Sequence, residues 1–191
     1  MSEKPSYLGL LNAIAVGEAG GEALFEAWAA ATPNDDVRAV LTTVALREGE
    51  HARQFTKRIN ELGYSVIPKD DPGLPGRVAM ASRTDLSDCE KFEQLGFSKT
   101  PKGDTDIFGK FFDDITMDIS TGELMGRYVA EERDTGRRLR ACYDVVSAAA
   151  SSSNGDAGSA ATLDARLERI ECALAELAAA TKPASKARAK K

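Results

Sequence analysis

Glu18, Glu48 and His51 are the residues of this chain whose types and spacing could hold a metal ion. Steps of three and four along a helical segment that follows Pro33 give an inward stripe of Val37, Leu41, Val44, Glu48, His51, Phe55 and Leu62. A carboxylate and the chain's one histidine therefore stand among apolar positions, where an unpaired polar group is costly. In the segment before Pro33, stepping from Leu11 through Ile14 or Ala15 reaches Glu18, then Gly21 or Glu22, then Phe25. Residues equally far from the turn of an antiparallel hairpin share a height, and Glu18 and Glu48 each stand 15 residues from Pro33. A carboxylate facing an E-x-x-H pair on a neighbouring helix is half of the donor set of a di-metal four-helix bundle. Carboxylate oxygens with one imidazole suit iron or manganese better than a soft metal. With a single histidine, no mechanism that needs two in one subunit is available.

These residues need two long helices to hold them. The apolar period predicts a first helix from Ser6 to about Ala31, ended at Thr32-Pro33-Asn34, and a second from about Asp35 to Leu62, capped by Asn34 and stopped by Gly63. Each would be about 40 Å long. The stretch from Tyr64 to Gly103 is rich in proline, glycine and charge, and reads as a long crossover with one short helix from Asp85 to Leu95. A further helical region from about Thr105 to Ser147 divides near Asp118–Thr121 into a shorter third helix and a fourth, with Ser120 and Glu123 spaced as a capping box. Residues 1–147 would thus form a helical bundle. Residues 148–161 read as a flexible Ser/Gly/Ala linker. Leu163, Leu167, Ile170, Leu174 and Leu177 set a short heptad seam over 162–181, which needs a partner helix. Residues 182–191 read as a disordered basic tail.

Composition agrees with an all-α protein. Aromatic residues make up 6% of the 191, while alanine is abundant. The net charge is −5, yet five of the last ten residues are Lys or Arg, so an acidic body carries a basic end. Such a tail could make weak, salt-sensitive contact with nucleic-acid phosphates, strengthened if an oligomer gathered several copies. Cys89, Cys142 and Cys172 form no C-x-x-C pair, which excludes a rubredoxin-type iron site. No unbroken run of about 20 apolar residues and no secretory signal pattern is present, so the expectation is a cytoplasmic protein that does not use a membrane.

Through Glu18, the 30-residue step to Glu48 and the E48-G-E-H51 motif, the sequence resembles the ferritin-like di-iron carboxylate family, in particular rubrerythrin-type and encapsulated-ferritin proteins. The resemblance implies a four-helix bundle with a long crossover between its second and third helices, two bound iron ions, and oxidation of ferrous iron or reduction of oxygen or peroxide. Glu18 and His51 would be terminal ligands and Glu48 a bridging one.

The second half departs from the family. It normally adds a carboxylate and a second E-x-x-H, whereas here the fourth helix carries Glu131-Glu132-Arg133-Asp134-Thr135. One helical register, through Met125, Tyr128 and Leu139, turns Glu132 inward with Thr135 in the histidine's place. Another, through Leu124, Tyr128 and Thr135, turns Glu131 inward with Asp134 as a further oxygen ligand. Asp106, Asp113 and Asp114 are the candidates on the third helix. The encapsulated ferritins suggest a different solution, in which two copies of the first hairpin share one site across a dimer. A metal-free helical assembly protein, recruiting partners through the heptad helix and basic tail, is the competing reading.

Overall fold

The computed structural model describes residues 4–98 and 112–154, and all regular structure within them is helical: α1 Leu8–Ala31, α2 Asp35–Glu61, α3 Leu74–Ala81, α4 Asp88–Gln94 and α5 Ile119–Asn154. The α1–α2 turn is built as its sequence predicts. Asn34 accepts hydrogen bonds from the backbone N–H groups of Asp36 and Val37, and two aspartates occupy the first turn of α2, where the helix dipole favours negative charge. At the other end Gly63 adopts φ +85°. Its N–H reaches the Asn60 carbonyl and that of Tyr64 reaches Ile59, a paired stop that needs a left-handed residue at position 63.

The crossover holds two short helices where one was expected. α4 falls inside the predicted 85–95 segment, opened by a capping box of Ser87 and Glu90. α3 was hidden by Pro72, Pro75 and the glycines around them; Pro75 lies in the first turn, where no intrahelical N–H bond is lost. Two contacts tie the crossover to α1. Asn12 holds the backbone of Ile67 with both side-chain atoms, donating to its carbonyl at 3.0 Å and accepting from its N–H at 2.7 Å. The buried Asp88 accepts from Trp28 Nε1 at 2.8 Å and from Thr32 Oγ1 at 2.6 Å.

Residues 112–118, the described end of the expected third helix, are a short turn and irregular chain; the rest of it, with Asp106, lies outside the described residues. Asp114 bonds Ser6 and Thr116 rather than facing the core. Phe112 is half exposed. The predicted division at 118–121 is the start of α5, but its cap is Asp118 and not Ser120. Asp118 accepts from Thr121 N–H at 3.0 Å and also from Tyr7, Arg58 and the Thr121 hydroxyl. α5 runs on to Asn154, so the first residues assigned to the linker are helical; 155–161, the heptad segment 162–181 and the tail 182–191 lie outside the described residues.

Two apolar clusters make the core. One joins Leu8, Leu11 and Ile14 of α1, Phe55 and Ile59 of α2, and Met125, Tyr128 and Val129 of α5. The other joins Phe25 and Trp28, Leu41 and Val44, Leu139 of α5, and Ala81 and Phe92 of the crossover helices. Each long helix thus passes from one cluster to the other, with α5 running in the direction of α1 and against α2. Among the described residues α1 is the one helix long and apolar enough to cross a membrane, and its Leu11, Phe25 and Trp28 are buried in the core.

Candidate metal centre

Between the two apolar clusters each long helix carries polar residues at one level: Glu18 on α1, Glu48 and His51 on α2, Glu131, Glu132 and Thr135 on α5. His51 is at the centre, only 1% exposed. Its Nδ1 lies 3.2 Å from Glu18 Oε2 and 3.6 Å from Glu132 Oε1, and its Nε2 lies 2.7 Å from Glu131 Oε2. The Tyr128 hydroxyl donates to Glu18 Oε1 at 2.8 Å, and its ring meets the imidazole edge-on at 5.0 Å. One ligand atom each from Glu18, His51 and Glu132 lie within 4.8 Å of one another, close enough to share a cation.

The α5 register follows Thr121, Met125, Tyr128, Glu132, Thr135 and Leu139, all turned toward the core. Glu132 is therefore the inward carboxylate, as the first of the two registers requires. Glu131 still reaches the histidine from the flank, because its side chain is long enough to approach Nε2 while its other oxygen accepts from Arg127 Nε at 2.9 Å. Asp134 is not brought to the group. Arg47 at 2.8 Å and Arg138 at 2.6 Å hold it on the outside, and these hydrogen bonds keep its carboxyl at about 2. Arg47 also donates to Thr135 Oγ1, closing the α2–α5 contact beside the site.

The electrostatics of this level are lopsided. Burial and the charges of Glu18 and Glu132 push Glu48 up to about 9. Burial, then Glu18, raise Glu132 to about 7, against the pull of His51 and Arg47. Burial and the same carboxylates raise Tyr128 far above the ordinary phenol. For His51, burial works against the imidazolium, but hydrogen bonds to Glu18 and Glu131 and the charges of Glu18 and Glu132 leave it above its usual value. Burial likewise works against the Glu131 carboxylate, yet His51 and Arg127 bring it below the usual range. Glu132 Oε1 is the one buried side-chain polar atom among the described residues with no hydrogen-bond partner. An orphaned carboxylate oxygen facing an imidazole nitrogen and a second carboxylate fits a hard or borderline cation.

Two glycines shape this level. A methyl group at Gly21 would overlap Glu48 Oε2, and one at Gly49 would overlap the Glu22 carboxylate, so each helix leaves room for an acid of the other. Neither glycine was singled out for this role from the sequence, nor was Tyr128 read as part of a site. A tyrosine one turn before Glu132 in an apolar stripe was the signal that could have found it, since a buried phenol needs a partner.

No protein-family model, curated protein or solved structure matches this chain.

Proposed function

We propose that the chain is a ferritin-like di-metal protein that binds iron or manganese among Glu18, Glu48, His51 and Glu132. The observation that carries this reading is the buried Glu18–His51–Glu132 group with its unpartnered carboxylate oxygen. Glu18 and Glu132 would hold an ion with His51 Nδ1, and Glu48, which lies against Glu18, would be the further carboxylate toward a second. Glu131 acts on the other side of the ring. With the ring in its Nε2–H form Glu131 would accept from Nε2 and Nδ1 would turn its lone pair to the metal, the usual arrangement of a metal-bound histidine. The ions would supply one-electron chemistry toward oxygen or peroxide, as in an oxidase, ferroxidase or peroxidase. The protein's own part is to hold the donors in a dry interior between apolar clusters and to fix Glu18 through the Tyr128 hydroxyl.

Three long helices around this level support a ferritin-like bundle in which the crossover, with α3 and α4, lies between the second helix and the last. Because α5 brings its own carboxylates to His51, the site is read as intramolecular and not as one shared across a dimer. A cytoplasmic location, a homo-oligomer, a partner for the heptad helix and weak nucleic-acid contact through the basic tail complete the proposal. The metal-free reading is favoured by one observation, that both His51 nitrogens already have carboxylate partners.

Metal analysis of protein purified without chelator separates the two. Iron or manganese at one to two ions per chain supports the centre. A metal-free protein that stays so after incubation with ferrous or manganous ion overturns it.

A further inference from the structure

A cleft of about 550 Å³ lies between α1 and the crossover, and Glu48 lines it. Glu48 is more than nine-tenths buried, and α5 covers the other side of its level, so the cleft is an approach to the centre from the α1 face. On this face α1 has no side chains at two successive positions, and Leu74 and Glu48 pack against its backbone. At Gly20 a methyl group would stand 3.3 Å from Leu74 of α3, and at Gly21 it would overlap Glu48 itself. A side chain at either position would therefore displace a residue that lines the cleft.

Charge narrows the choice further. Lys69, Asp70, Asp71 and Arg77 line the cleft in two opposite pairs, and Asp71 is bound to Arg77 at 2.6 Å. These four side chains carry no net charge, so they add no field along the cleft that would favour an ion of either sign. The walls of Val16, Leu24, Phe25, Leu74 and Phe97 are apolar, which costs an ion its hydration and a neutral molecule nothing comparable.

We propose that this cleft is the passage by which a small neutral oxidant, dioxygen or hydrogen peroxide, reaches the Glu48 side of the centre, with the backbone of Gly20 and Gly21 and the side chain of Leu74 among its walls. The inference rests on the metal-centre reading, and its test is built so that the two fail differently. Dissolved dioxygen is the probe, read first in metal-free protein as enhanced relaxation of methyl groups. The signals of Val16, Leu24 and Leu74 should respond more strongly than those of Leu11 and Leu41, which are fully buried. Gly20→Leu should abolish the difference and Leu74→Ala should increase it, while Gly126→Ala on α5, outside the cleft, where an added methyl group meets nothing within 4 Å, should leave it unchanged. In iron-loaded protein of equal iron content, Gly20→Leu should slow loss of ferrous iron after mixing with oxygen by about tenfold, the effect of roughly 1.4 kcal/mol of added barrier. Leu74→Ala should not slow it. Equal responses of cleft and core methyls, or unchanged oxidation in a folded Gly20→Leu protein of equal iron content, overturn the passage and leave the centre standing. Wild-type protein that retains no iron overturns the centre, and the passage falls with it whatever the methyl groups report.

Discussion

His51 Nε2 and Glu131 Oε2 lie 2.7 Å apart, and this one contact divides the two adjacent glutamates of α5 between different roles. Glu131 holds the imidazole from the solvent side, supported by Arg127, and Glu132 meets the same ring from within. Glu131→Ala should lower metal affinity by about 10- to 100-fold, as loss of a histidine's orienting partner does. Glu131→Gln, which keeps an acceptor, should recover most of it. Glu132→Ala should reduce stoichiometry itself. Titrating each variant with manganous ion checks the order; equal effects of Glu131→Ala and Glu132→Ala would remove the distinction.

Replacing Glu48 and His51 together with alanine should remove most iron and manganese while the far-ultraviolet dichroism stays helical. The two apolar clusters on either side are untouched, and the change also relieves Glu18 of an acidic neighbour. Equal metal content in the wild type and the double variant would end the proposal.

Gly21→Ala and Gly49→Ala should differ in cost although both crowd a carboxylate. Glu22, which faces position 49, is partly exposed and can swing away, so the helix-propensity gain of alanine, up to about 1 kcal/mol, should leave that variant neutral or more stable. Glu48, which faces position 21, is buried and held against Glu18, so displacing it should cost about 1–3 kcal/mol, and that cost should prevail there. Denaturant unfolding of the two variants reads the difference directly.

Acid should weaken the joint between α5 and the first hairpin. Burial disfavours the Asp118 carboxylate, but hydrogen bonds from Thr121, Tyr7 and Arg58 outweigh it and leave the group below its usual 3.8. A carboxyl lowered in the folded state contributes stability that is complete above its unfolded value and is lost as pH falls toward the folded one. Asp118→Ala should therefore cost about 1 kcal/mol near neutrality, the loss of a helix cap, and the gap to the wild type should close progressively below pH 3.8. Thermal unfolding from pH 7 downward gives the curve.

Deleting residues 162–191 should leave metal binding intact and reduce the assembly state, because the heptad seam is too short to stand alone. Sedimentation of the full-length and shortened proteins tests this, and identical species would refute it.

Glu18, Glu48 and His51 were legible because each interrupts an otherwise apolar stripe, and their equal distance from Pro33 survives folding when a hairpin has a tight turn. The two ends of α2 were legible for a similar reason, since Asn34 and Gly63 act through their immediate neighbours. The register of α5 was not. Its seam contains Thr121 and Thr135, which are buried but polar, so the apolar period alone could not choose between Glu131 and Glu132. α3 was missed because Pro75 breaks a helix interior but is harmless in a first turn, and sequence alone does not say which position it holds. The fit of Glu48 over Gly21 is a relation between two helices, which no single-helix pattern contains.

The anchors of the crossover on α1 have a consequence for how this chain can vary. With Ile67 clamped by Asn12 and Asp88 clamped by Trp28 and Thr32, residues 68–87 form an arch whose two feet are fixed on the same helix. Doubling the length of such a closed loop adds only about 0.6 kcal/mol of closure entropy. Insertions or deletions in the exposed stretches on either side of α3, whose Ala81 is held in the core, can therefore accumulate across generations without moving the helices that carry Glu18, Glu48 and His51, so the rim of the cleft can be remodelled for a new visitor while the residues beneath it stay in register.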